Sequence, residues 1–535
     1  MKRFFLPLAI LMMTCCICKA QFVDENEYIG GNCTSIMVGK KASADGSVIT
    51  SHTCDGRYRT WVKVEPAADH KSGEMHKVYK GTAHTSFPED TAGLKLAGEI
   101  PQVAHTYAYV NTAYPCLNEK QLAIGETTFS GPDTLVNPKG MFNIEELERV
   151  VLMRCDNARD AIRLIGDLIA KYGYGDGGEC ITIADKNEVW QVEILGEGPD
   201  KIGGIWAAQR VPDDHVAVSA NIPRIGTLQR NDKENFMCSD NIEKVAKKYG
   251  LWDGKEPFVF WKAFNAAYAN GKNFREREFF IFNELAPSMQ FSQDMAELPF
   301  SIKPDEKVSV SKVMALFRST YEGTDMDMTA NLKIVKTKKN EDGTSTNDTI
   351  ISPIANPWIM TNAMRTYNYI AEGTVDFKRT IAVSWCSYSF ITQLRSWLPD
   401  AIGGVCWFSV DNPAESPRIP IFCGNTELPN TFNYCGQKQY NETSILWSYR
   451  KANRLATVAW GSTKNLINKN VLEQEQTILK DLPDLEQEVS LLASKNKSKQ
   501  IAKVLNNYTA SSVEQSQKKW KLLEEKLWQF FGSGF

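Results

Sequence analysis

Beyond residue 20 the sequence lacks the spacings that bind transition metals. None of the ten cysteines there forms a Cys-x-x-Cys pair, and the six histidines never fall at His-x-x-x-His spacing. That argues against a zinc site, although carboxylates remain available for a harder cation. A charge of one sign is also missing. Lys and Arg total 61 and Asp and Glu total 64, a net −3. This balance gives no reason to expect nucleic acid or an anionic membrane as a partner. No segment after residue 20 has the length and apolarity of a membrane span. There is no internal repeat. A composition of 43% hydrophobic, 23% charged and 10% aromatic residues excludes a disordered, collagen-like or coiled-coil chain. The 535 residues can bury a large core.

The first 20 residues read as a signal peptide. Lys2 and Arg3 precede an apolar run from Phe4 to Cys18, and Ala20 offers a small residue at its end. The run is shorter than the ~20 residues that cross a bilayer. Thr14, Cys15 and Ile17 suit a lipid-modified cysteine poorly. Cleavage after Ala20 and export, to the periplasm or the exterior, are the expectation. Three of the 13 cysteines would leave with this segment. The remaining ten are too sparse for a disulfide scaffold. If one of them serves catalysis, nine are left, and an odd number cannot all pair within the chain.

Residues 21–32, QFVDENEYIGGN, form a polar leader ending in Gly30-Gly31-Asn32. Cys33 follows at the start of a β-hairpin. Ile36 and Val38 mark its first strand, Asp45-Gly46 a turn, and Val48 and Ile49 the second strand. Ile144 to Tyr172 reads as one helix, with Leu147, Val150, Val151, Cys155 and Ala158 on a stripe. Strands are expected at CITIAD, EVWQVEIL, IWAAQRV, VAVSAN, RTIAVSWCSYSF and GGVCWFSVD. Lys336 to Thr349 is polar and turn-rich and reads as an exposed loop. From about Tyr440 the character changes to charged helix. There Lys519, Lys521, Glu524 and Glu525 form a solvated face opposite Trp520, Leu522, Leu523 and Leu527. This mixture points to the α+β class, with residues 33–440 as one domain and 441–535 as a helical C-terminal region packed on it.

The position of Cys33 has a chemical meaning. If the Asn32–Cys33 bond is cut, Cys33 gains a free α-amine beside its thiol. A thiol is a nucleophile as its thiolate. An α-amine with a pKa near ~7.7–8.0 can take the thiol's proton around neutral pH. One residue then supplies nucleophile and base. Composition alone favours a blander reading, in which Cys33 is one half of a disulfide in an exported protein.

The stretch CTSIMVGKKASADGSVI, from Cys33 to Ile49, closely resembles the start of mature cysteine dipeptidases related to the secernins. These belong to the N-terminal-nucleophile hydrolases, with the choloylglycine hydrolases and penicillin V acylases. The resemblance continues in order through LAIGETTFSG, RVPDDHVAVSANIPRIG, REFFIFNELAPS, RSTYEGTDMD, RTIAVSW and LPDAIGGVCWFSVDNP. It implies a four-layer αββα sandwich, in which two antiparallel sheets pack between helical layers.

The resemblance also implies roles. Cys33 matches the nucleophile, and Asp55 the aspartate that holds its amine. Many relatives carry Arg-Asn-x-Asp there, where this chain has His52-Thr53-Cys54-Asp55. His52 could substitute only weakly for that arginine and reads first as a surface or core histidine, and Cys54 competes as nucleophile only by residue type. Asn221 matches an oxyanion-hole asparagine, a contribution that is often a large catalytic term. Arg277 matches an arginine near the nucleophile, with Arg275 two positions away as the alternative register. Thr127, with Thr128 beside it, lies where the acylase branch has another oxyanion donor. Glu126 is a candidate for binding the free ammonium group of a dipeptide. Glu322-Gly323-Thr324 matches the dipeptidase branch and reads as a turn.

The expected protein is an exported dipeptidase acting on small peptides, without cofactor or metal, and open to homo-oligomerisation. A bile-salt or penicillin acylase on the same fold is the alternative within the class. A non-catalytic secreted binding protein is the alternative outside it.

Overall fold

The computed structural model describes residues 33–533 except 270, 271, 296 and 360. The expected signal peptide and leader lie outside the described residues.

Two large antiparallel sheets carry the fold. The first runs Ser301–Ile302, Val216–Ser219, Ser35–Val38, Val48–Asp55, Cys386–Leu394, Gly404–Val410 and Ile419–Phe422. The second runs Phe236–Cys238, Gly204–Arg210, Val189–Gly196, Gly178–Ala184, Ala123–Ser130, Leu117–Asn118, Tyr109–Asn111 and Lys63–Glu65. The central strands are buried along their whole length, because both faces of each sheet are covered. The Val48–Asp55 strand lies across Ala123–Ser130 and Gly178–Ala184, so the sheets meet face to face. Gly125 permits this approach: a Cβ there would sit 2.4 Å from the Ser51 carbonyl oxygen.

Helices cover the outer faces. Ala158–Tyr172 packs on Gly178–Ala184, Val189–Gly196 and Gly204–Arg210. Ile445–Val458 and Ser498–Gly532 pack on Gly404–Val410 and Ile419–Phe422. In the last helix Val513, Ser516, Trp520, Leu523 and Leu527 are buried, a three-and-four spacing that keeps one stripe on the core. Leu522, expected on that stripe, is instead exposed beside Lys521.

Four expectations change in detail. Ile144–Tyr172 is two helices, Ile144–Arg154 and Ala158–Tyr172. Asn157 ends the continuity by accepting the Asp160 amide at 2.9 Å, an N-cap that starts a new helix. Lys336–Thr349 is no loop but most of a hairpin, Lys333–Lys339 paired with Ser345–Ile351. Its residues are almost all exposed, so no apolar alternation marks it in sequence. Arg379–Trp385 precedes the strand it was assigned to, which begins at Cys386. All ten cysteines of the described residues are free thiols, Cys33 among them.

Candidate active site

Cys33 stands just before the Ser35–Val38 strand and is buried. The adjacent Val48–Asp55 strand ends at Asp55, which is fully buried. The Thr34 amide donates to Thr53 Oγ1 at 2.9 Å, and Thr53 Oγ1 donates to Asp55 Oδ2 at 2.9 Å. Arg379 Nη2 donates to the same oxygen at 2.7 Å. Asp55 Oδ1 has no hydrogen-bond partner among the described residues. The Asp55 backbone amide points at the Cys33 sulfur.

Arg277 enters from the Lys272–Leu285 helix. It is buried, and its Nη1 donates to the Cys33 carbonyl at 2.5 Å and to Thr34 Oγ1 at 3.0 Å. Its Nη2 donates to the Ala220 carbonyl at 2.8 Å and to Asn221 Oδ1 at 2.9 Å. Arg275, the other register, is half-buried and donates to the Met295 carbonyl. Arg277 is therefore the arginine at Cys33. Burial, reinforced by the like charge of Arg379, pulls it down to about 9, which leaves it charged at neutral pH.

Asn221 adopts φ +63°, a left-handed conformation that asparagine tolerates better than most residues. Its Oδ1 faces Arg277 and its Nδ2 donates to the Thr128 carbonyl at 2.6 Å. The reverse orientation would set an amino group against a guanidinium and an oxygen against a carbonyl. The network thus fixes which end of the amide carries its N–H groups, one of which is left for another acceptor.

The opposite side of Cys33 is acidic. Glu126 is fully buried on the Ala123–Ser130 strand, with a carboxyl oxygen within 4.8 Å of the Cys33 sulfur. Thr128 Oγ1 donates to Glu126 Oε1 at 3.0 Å. Glu179 lies directly across the ladder from Thr128, which puts it diagonal to Glu126 on the same face. The two buried carboxyls interact electrostatically, the charge of Glu126 acting on Glu179. Burial pushes Glu126 up to about 7, and burial together with Glu126 raises Glu179 well above the usual carboxylate range. Glu126 Oε2 and Glu179 Oε2 have no hydrogen-bond partner among the described residues. Burial, then the charges of Glu126, Cys54 and Asp55, hold the Cys33 thiol well above its ordinary value.

Three features singled out in the sequence take definite places here. Thr127 points its hydroxyl to Ser219 Oγ, at 2.5 Å, and Ser219 Oγ donates to Cys180 Sγ. That is a link between the sheets, because neighbouring strand residues face opposite ways. Thr128, not Thr127, joins the contacts around Glu126 and Asn221. His52 is fully buried, and burial lowers it to about 4, so it carries no charge at neutral pH and does not replace the absent arginine. Arg379 instead pairs with Asp55; its segment is visible in sequence, but that pairing, across 324 positions, is not. Glu322 binds Trp460 Nε1 at 2.8 Å and Lys464 Nζ at 2.9 Å, while Gly323 turns at φ +81°. The motif is thus a turn that also anchors the long Trp460–Ser494 helix.

The structure brings Cys33, Asp55, Asn221, Arg277 and Glu126 together and adds Thr128, Glu179 and Arg379. A thiol, a donor-bearing amide and buried charges of both signs converge there. Among the described residues no helix is long and apolar enough to cross a membrane.

Along most of its length the chain resembles known peptidases. A family model, peptidase family C69, matches residues 32–473. A probable dipeptidase of Latilactobacillus sakei is 26% identical over 414 residues, covering 76% of this chain and 77% of that protein. A probable dipeptidase of Salmonella dublin is 27% identical, covering 73% of this chain and 81% of its own. Dipeptidase A of Lactobacillus helveticus is 22% identical, covering 78% and 80%. With the match extending over most of its length, the chain belongs to peptidase family C69 and is a cysteine-type peptidase.

Proposed function

We propose that this chain is an exported dipeptidase on an αββα N-terminal-nucleophile hydrolase fold, which becomes active when cleavage before Cys33 frees its α-amine. The reading of the fold is supported by the two face-to-face sheets with helices on both outer sides. The reading of the mechanism is carried by Asp55. Its bound oxygen is linked through Thr53 to the Thr34 amide, one residue from Cys33, and its other oxygen is buried without a partner among the described residues. An ammonium group at Cys33 would satisfy that oxygen.

The raised Cys33 thiol fits the same scheme, because a protonated thiol needs a base within reach. The α-amine takes the thiol proton and the sulfur attacks the peptide carbonyl. The Asn221 side-chain amide, held by Arg277, receives the oxyanion; a donor of this kind contributes on the order of 10²–10³ in kcat. The α-ammonium returns the proton to the leaving amine, and water then hydrolyses the thioester. Glu126, backed by Glu179 and Thr128, binds the substrate's free ammonium group. No step requires a cofactor.

The deciding experiment is the intact mass and N-terminal sequence of an active preparation. A chain beginning at Cys33 is expected; an active chain still beginning at Gln21 removes the free-amine mechanism. A panel of dipeptides against N-acyl amides tests the substrate class. Glu126→Gln should impair free dipeptides far more than N-blocked ones. Equal losses on both would remove the ammonium role and leave Glu126 acting on Cys33 alone.

A further inference from the structure

Residues 33, 52 and 126 share no sequence spacing, yet the fold converges their side chains. Cys33 Sγ, a ring nitrogen of His52 and a carboxylate oxygen of Glu126 all lie within 4.8 Å of one another, and all three residues are buried. His52 Nδ1 stands 4.0 Å from Glu126 Oε2. The donor set is one thiol, one imidazole and one carboxylate, the mixture that suits a borderline-soft divalent cation such as zinc. Glu126 Oε2 has no hydrogen-bond partner among the described residues. One buried polar atom of the proposed ligand set is thus unused by the protein itself, a costly state unless something else engages the group.

We propose that the Cys33 site binds a zinc-like divalent cation through Cys33 Sγ, His52 Nδ1 and the Glu126 carboxylate, and that the bound ion silences the nucleophile reversibly. A tetrahedral ion asks for ligand atoms roughly 3.3–3.7 Å apart, given metal–ligand bonds of about 2.0–2.3 Å. Closing from the present spacing requires the Cys33 and Glu126 side chains to move inward and the His52 ring to turn away from the Glu126 carbonyl. His52 Nδ1 now lies 2.6 Å from the Glu126 carbonyl oxygen. Coordination exchanges that hydrogen bond for a metal bond, and the ring proton resides on Nε2. Coordination uses the neutral imidazole, as a ligand must be. The thiol proton is released to solvent as the sulfur binds.

The fourth position has a natural occupant. An amino-terminal cysteine chelates through nitrogen and sulfur in a five-membered ring. That amine ligand rests on the cleavage before Cys33 proposed above; the three side-chain ligands do not. Because the ion takes Glu126 as well as the thiol, it competes with the substrate's ammonium group and with thiolate attack together.

The test uses cobalt(II) and zinc on the purified full-length protein, with its intact mass recorded in parallel. Cobalt(II) should bind one per chain with a thiolate charge-transfer band and the strong visible absorption of a tetrahedral site. The band should disappear in Cys33→Ser and weaken at least tenfold in apparent affinity in both His52→Asn and His52→Gln. Zinc should slow alkylation of Cys33 at least tenfold without slowing that of Cys238, a half-buried thiol that serves as an internal control. This readout needs no variant. A missing band, a band unchanged in both His52 variants, or zinc-independent alkylation of Cys33 would overturn the site. The two readings separate cleanly. A chain that is active while retaining residues before Cys33 and still shows the band keeps the site while the processing reading fails. A chain starting at Cys33 without the band leaves processing standing and removes the site.

Discussion

Two buried aspartates flank the same end of the Cys386–Leu394 strand. Asp55 pairs with Cys386 on one side, and the Asp411 amide donates to the Ser387 carbonyl on the other. Both are fully buried and both are held by arginine. Asp411 is closed. Arg450 donates to its Oδ1 at 2.8 Å and Asn453 to its Oδ2 at 3.0 Å, from the Ile445–Val458 helix. Burial alone would raise it, but Arg450 and Arg454 outweigh burial and hold it below the usual carboxylate range. Asp55 is half-closed: Arg379 and Thr53 share one oxygen, and the other has no partner among the described residues. The same pair of residue types thus makes a clasp where every atom is engaged and a site where one is held in reserve. A reserved buried polar atom costs stability, and such costs concentrate where function needs them.

The comparison is sharpened by breaking each side in turn. Cys33→Ala should reduce peptide hydrolysis to background while the melting temperature changes little; surviving thiol-dependent turnover would mean that another residue is the nucleophile. Asp55→Asn and Arg277→Met should each lower kcat on the order of 10²-fold, through loss of the amine's partner and of the Asn221 orientation respectively. Single-turnover assays on the folded fraction would show this, and an undiminished rate in either would detach that residue from the chemistry. Asp411→Asn should do the reverse. It strips buried guanidinium contacts of their counter-charge, costing about 3 kcal/mol in denaturant unfolding, with kcat per folded molecule nearly unchanged. If Asp411→Asn lost activity and not stability, the distinction between clasp and site would collapse.

The smallest effect concerns Glu126 and pH. Its folded value of about 7 lies above the ordinary carboxylate value. The folded state therefore holds a proton that the unfolded state has released. The resulting contribution is present at low pH and is lost as pH rises through about 7. Unfolding free energies measured from pH 5 to pH 8 should fall less steeply in Glu126→Gln than in the parent. Parallel slopes would show that Glu126 titrates normally.

How far the site was legible depends on the range of its contacts. Cys33 was marked by a polar leader followed by a strand, and the family pattern from Cys33 to Ile49 turned that mark toward a nucleophile. Asn221 and Arg277 carried a family pattern. Arg379 was in view within RTIAVSW, but a strand reading hid it, since its partner is 324 positions away. Glu179 needed the register that sets it across from Thr128. The choice between Thr127 and Thr128 turns on a single step along a strand, and one step reverses the face. The Lys333–Ile351 hairpin escaped notice because it buries almost nothing.

What the sequence determined by itself was local: the mixed α+β class, most of the apolar stripe of the last helix, and a cysteine at the head of a β-strand. Periodicity and near-neighbour chemistry are enough for these. Only the tertiary structure decided which charges surround that cysteine. Antiparallel pairing and sheet-on-sheet packing bring residues 33, 55, 126, 179, 221, 277 and 379 together from separate segments. Burial then sets their protonation, because a buried group's charge depends on its neighbours in space and not on its neighbours in the chain.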